Sequence, residues 1–198
     1  MPRLKRLAVE SIGRALQRAE RYRLLGEPCE AESISEDVLE VDPGNHEALV
    51  MLILALTDQF RSDLSRVTEA RGLTARLPEG YERFYYAGLV TERLAKAELQ
   101  RSGPGGDSDA ARALREAMSW YEKAEAVRPP ANDDAILRWN ACARMIRRRG
   151  LTDPSDETAR IAQAKPARPA GGADAGVKRL STRGLAPRGP RRRHATGS

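Results

Sequence analysis

The stretch IGRALQRAERYRLLGEPCEAESISEDVLEVDP, residues 12–43, decides how the rest of the chain is read. Its apolar residues recur at three- and four-residue spacing, the period of helices that bury one stripe and solvate the rest. Gly26-Glu27-Pro28 interrupts the pattern and Asp42-Pro43-Gly44-Asn45 ends it. These stops predict two helices, over about 6–25 and 29–41, with Asn45 as the N-cap of a third. Small side chains at Ala19 and Ala31 let the two helices approach closely, Tyr22 fills the gap between them, and Pro43 stops the second.

Working outward, the same punctuation recurs. Leu77-Pro78-Glu79-Gly80 separates a fourth helix, about 62–76, from a fifth, about 80–101. Residues 102–107 read as a Gly-rich loop, with Ser108 as N-cap of a sixth helix that begins near Asp109 and closes at Pro129-Pro130. Asn132-Asp133-Asp134 opens a seventh helix and places acids at its positive end; Arg147, Arg148 and Arg149, before Gly150, place cations at its negative end. A short eighth is predicted over 153–164. Period-two alternation with β-branched residues is almost absent, so the fold class is all-α.

Charge divides the chain. It is +6 overall, but residues 165–198 carry nine Lys or Arg against one acid, Asp174; +8 belongs to that stretch and residues 1–164 are left near −2. With Val177, Leu180 and Leu185 as its only large aliphatics, 165–198 cannot bury enough apolar surface to offset its ordering entropy and reads as a disordered basic tail. The expected organisation is a helical repeat domain over 1–150, a linker or short helix over 151–164, and the tail. Cys29 and Cys142 stand far apart with no partner at metal spacing, so both read as small buried hydrophobes. The basic start lacks an apolar targeting core and no run approaches the ~20 apolar residues of a membrane span, so the expected compartment is the cytoplasm.

The intervals between stops call for a repeat search. With Ile12 as position 1 of a 34-residue unit, Ala19 falls at 8, Tyr22 at 11, Gly26 at 15, Ala31 at 20, Ser35 at 24, Val38 at 27 and Pro43 at 32. Ala117, Tyr121, Ala124 and Pro129 repeat the second-helix pattern, with Gly88 at the close-contact position of the partner helix. Between them lies a degenerate unit over 46–79, carrying Leu52, Ile53, Leu56, Ala70, Leu73 and Pro78. At these positions the chain resembles the tetratricopeptide repeat family over about residues 12–149. It departs by one extra residue in the second unit, by Ile53 where a small side chain is usual, and by Phe60 where glycine is usual. From Pro78 to Pro129 there are 51 residues rather than 34, an excess assigned to longer helices and the 102–107 loop. The seventh helix, with Ile136, Trp139, Ala143 and Ile146 on one side and Arg144, Arg147 and Arg148 on the other, fits a polar-backed cap.

The resemblance implies antiparallel helix pairs stacked as a short right-handed solenoid whose first helices line a concave face that binds segments of other proteins. Carrying the family's groove positions onto this chain gives Leu16, Glu20 and Arg23 from the first unit, Glu47, Val50, Leu54 and Thr57 from the second, and Glu82, Tyr85, Leu89 and Glu92 from the third. That set has an apolar floor and acidic margins, which implies an apolar or basic partner segment anchored on Tyr85. The carboxylate clamp of some members is not matched, since its places hold Leu16, Glu20 and Met51. The expected function is a non-catalytic scaffold or adaptor, in the manner of an assembly factor or chaperone, with no cofactor or metal; self-association through the groove is left open. The alternative is a nucleic-acid-associated regulator working through Lys178, Arg179, Arg188, Arg191, Arg192 and Arg193, although the tail has no aromatic residue to stack on bases. Catalysis has little footing: His46 stands at a helix start, His194 is in the tail, and the 102–106 glycine run lacks the lysine and preceding strand of a phosphate cradle.

Overall fold

Where the chain can no longer continue a helix, it turns back, and seven α-helices result among the described residues. The computed structural model describes residues 3–101 and 106–152, all within one compact unit. After a 3-10 turn at Val9–Ser11 come α1 (Ile12–Leu24), α2 (Pro28–Val41), α3 (His46–Asp58), α4 (Arg66–Thr74), α5 (Tyr81–Arg101), α6 (Gly106–Ala126) and α7 (Asp134–Arg149). The described residues are all-α. The predicted eighth helix and the basic tail lie outside them.

The stops act as their chemistry requires. α1 ends at Gly26, whose φ of +79° only glycine adopts without strain, and Glu27 N–H then reaches back to the Tyr22 carbonyl at 2.9 Å. Pro28 opens α2 at the position where its missing N–H costs nothing. Asn45 caps α3, its Oδ1 accepting from Ala48 N–H at 2.9 Å. Gly150, at φ +61°, closes α7, with Leu151 N–H bonded to the Ile146 carbonyl at 3.1 Å and the Leu151 side chain buried.

Four expectations are corrected. α1 starts at Ile12 rather than near 6. α4 is shorter than 62–76 because Phe60, 1 % exposed, is drawn into the core beside Leu56, Leu73 and Leu77, and residues 59–65 turn before Arg66. Ser108 lies inside α6, which already begins at Gly106, so it caps nothing. Cys29 is exposed, its Sγ on Gln59 Oε1 at 3.4 Å, whereas Cys142 is buried.

Each helix packs on its chain neighbours; in addition α1 packs on α3, α3 on α5, and α5 on α7. The odd-numbered helices therefore form a continuous layer backed by α2, α4 and α6. Small residues set the close approaches. Ala19 and Ala31 are fully buried together with Met51 and Ala55, with Tyr22 against them. The most extensive contact is α5 with α6. There a Cβ on Gly88 would stand 2.7 Å from Cε1 of the buried Tyr121 ring, so the ring occupies the space a side chain would need. Ala117 and Ala124 flank Tyr121 in the same cluster, and Ala135 and Cys142 bring α7 onto it.

Candidate partner-binding face

Three helices of the odd layer are tied by one carboxylate. Asp58, at the end of α3, accepts from Arg23 Nε of α1 at 2.7 Å through Oδ2 and is ion-paired through Oδ1 with Arg93 of α5. Each arginine is 35 residues from the aspartate. Nearer the start of α3, His46 Nε2 meets Glu82 of α5 at 2.6 Å, an exposed bridge between the same two helices.

A second carboxylate organises the far half of the layer. Glu92 on α5 is 1 % exposed, yet fully partnered. Its Oε2 accepts from the Tyr121 hydroxyl of α6 at 2.6 Å; its Oε1 meets Lys96 Nζ one turn along and Arg138 of α7 at 3.4 Å. Burial, and then the adjoining Glu92 charge, push the Tyr121 hydroxyl far above its ordinary pKa and the Cys142 thiol up to about 12. Both groups therefore stay protonated. Burial pulls the Arg138 guanidinium down, but the hydrogen bond it donates to Tyr85 and the Glu92 charge outweigh it, leaving Arg138 more firmly charged than a free arginine.

Between α3, α5 and α7 these groups wall a cleft of about 360 Å³, lined by Asp58, Arg61, Arg93, Lys96, Gln100 and Arg138 above Thr57, Phe60 and Ala97. Four cations and one carboxylate, Asp58, line it, while Arg23 and the buried Glu92 pair with these groups from outside the lining.

The groove residues expected from the sequence fall into three groups. Leu16 and Leu89 are buried in the core, as are Thr57, whose hydroxyl bonds the Leu54 carbonyl, and Glu92. Glu20 and Glu47 are exposed, and Val50, Leu54, Glu82 and Tyr85 are half-buried. Val50 packs against the central cluster and Tyr85 against that of the α5–α6 pair, stacked on Tyr81 with ring centroids 5.7 Å apart. Only Arg23 enters the bridge with Asp58. The tail cations Lys178, Arg179, Arg188, Arg191, Arg192 and Arg193 lie outside the described residues.

Asp58, Arg93, Lys96 and Arg138 are not among the expected positions; for Asp58 and Arg93 the reason is a single residue of register, and Arg138 lies on α7, which carries no groove position of the repeat. Counting 34 residues from Arg23 puts Thr57 opposite it, and the 35-residue second unit then puts Glu92 opposite Thr57; the structure instead pairs Asp58 with arginines 35 residues away on either side, which rotates the facing position by ~100° around α3 and α5.

Among the described residues no helix is long and apolar enough to cross a membrane. Comparison with known proteins returns no match to any protein family, curated protein or solved structure.

Proposed function

We propose that α1 to α7 form a short solenoid of the tetratricopeptide type and that its odd-helix face binds a segment of another protein, making the chain a scaffold or adaptor rather than an enzyme. The observation that carries this reading is the Arg23–Asp58–Arg93 bridge. Equivalent positions of α1, α3 and α5, spaced at a constant 35 residues, meet side by side, as stacked repeats require. The layering supports it too, since odd helices touch odd helices along the whole unit. On such a face the lining side chains, not the scaffold, choose the partner. Leu54 is the lining residue to alter, being half-buried, apolar and one turn before Asp58.

Affinity capture from native lysate with the full chain and with Leu54→Glu, each with and without nuclease, tests the reading. Proteins retained by the wild type, resistant to nuclease and lost from a Leu54→Glu variant of unchanged helicity, are the expected result. Capture that ignores the substitution, or disappears on nuclease treatment, contradicts it; the latter outcome would return the function to the basic tail.

A further inference from the structure

We propose that the cleft between α3, α5 and α7 receives an internal acidic segment of the partner protein, with carboxylate side chains on the cleft cations and a neighbouring apolar side chain on Leu54. The proposal rests on the partner-binding reading above and names the chemistry of the segment bound.

Charge balance carries it. The carboxylate that lines the cleft, Asp58, is committed to Arg23 and Arg93, and the sealed Glu92 beneath it to Lys96, Arg138 and Tyr121. Arg61 is exposed on the rim and has no partner among the described residues. Three units of positive charge are therefore left over in one concavity. The cations that do have partners are not used up. Arg93, Lys96 and Arg138 keep 28 %, 38 % and 35 % of their side-chain surface open, and each arginine has five N–H donors, of which its carboxylate takes only part. A concave site with same-sign walls concentrates its field at the mouth, so an anion gains there more than it would beside the same charges on a flat surface.

The shape and lining then separate peptide from nucleic acid. Phe60 is the only aromatic among the lining side chains, and it is buried, so no ring is presented to stack on a base. Leu54 stands one helical turn, ~6 Å, from Asp58 on the same stripe of α3, which is about two residues of extended chain. The segment that fits carries Asp or Glu clustered within two or so positions of a large apolar residue. Side-chain carboxylates supply the charge that the cleft cations take, so a free C-terminus is not required.

The test uses the full chain and a fluorescent, amidated peptide in which glutamates alternate with leucines, read by fluorescence anisotropy. Matched probes replace glutamate by glutamine or by lysine, and a short single-stranded oligonucleotide is the competing anion. Residues 165–198 attract any acidic probe, so dependence on the cleft decides, not binding alone. Arg61→Glu should weaken the glutamate peptide by about tenfold or more at low salt, with the difference shrinking as salt rises. Lys96→Gln should act in the same direction, the glutamine probe should be insensitive to both changes, and the lysine probe should not be weakened by either. Circular dichroism checks folding; Arg61, with no partner among the described residues to lose, gives the variant that keeps its fold. Glutamate-peptide binding equal in wild type and Arg61→Glu overturns the acidic-segment proposal while leaving Leu54-dependent capture standing. An oligonucleotide that binds more tightly than the peptide, and is lost in Arg61→Glu, overturns it in favour of a nucleic-acid cleft.

Discussion

The α1–α2 pair and the α5–α6 pair solve the same packing problem with different chemistry. In the first, helices of 13 and 14 residues meet through Ala19 and Ala31, with Tyr22 only half-buried beside them. In the other, two 21-residue helices meet through Gly88 and a fully buried Tyr121 whose hydroxyl sits on a sealed carboxylate. Alanine against alanine tolerates change because little volume is at stake. A ring filling the notch of a glycine, and hydrogen-bonded to a buried charge, does not.

Truncating the two tyrosines breaks the comparison most sharply. Tyr121→Ala opens a ring-sized cavity and strips Glu92 of a donor, so it should cost about 3–5 kcal/mol, whereas Tyr22→Ala should cost roughly 1 kcal/mol, both read by denaturant unfolding. Equal losses would mean the two pairs are packed alike. Glycine scanning sharpens the contrast. Gly88→Ala gains helix propensity but drives a Cβ into Tyr121 at 2.7 Å, and a net loss of about 1–3 kcal/mol is expected. Gly13→Ala and Gly72→Ala meet nothing within 4 Å and should each stabilise by roughly 0.5–1 kcal/mol.

Alkali acts on the far half as well. Cys142, moved from 9.0 up to about 12 by burial and Glu92, and Tyr86, moved from 10.0 to about 12 by burial, both favour the folded state while protonated. That stability is complete below pH ~9, where the unfolded thiol is still protonated, and is lost as pH rises toward 12. Melting temperature should accordingly start to fall above pH 9, and less steeply in Cys142→Ala. The two thiols also differ under native conditions: a thiol reagent should modify exposed Cys29 at once and Cys142 only on unfolding. A modest effect belongs to the bridge of the odd layer. Asp58→Asn, at a partly solvated site, should cost about 1 kcal/mol, and should do so only while Arg23 and Arg93 are present.

Much of the fold was legible because helix stops are local chemistry. Gly26, Pro28, Asn45 and Gly150 act where the sequence puts them, and Ala19, Ala31, Gly88, Ala117, Tyr121 and Ala124 all proved to be contact positions. The beginning of α4 was not legible, because tertiary burial of Phe60 overrides the local pattern. Nor was the start of α6, since a glycine run reads as loop even where the helix already begins at Gly106. The face suffered most. Helical position is unforgiving of register: counting 34 residues from Arg23 reaches Thr57, and from it Glu92, whereas Arg23 pairs one residue further on with Asp58 and Asp58 with Arg93, beside a cleft lined by Arg61, Arg93, Lys96 and Arg138.

Hydrogen exchange on the full chain, alone and with a protein recovered by capture, tests most directly that the odd-helix layer is the binding face. Slowed exchange in peptides from α3, α5 and α7, with α2, α4 and α6 unchanged, is the result expected. Protection confined to the even-numbered helices would contradict it.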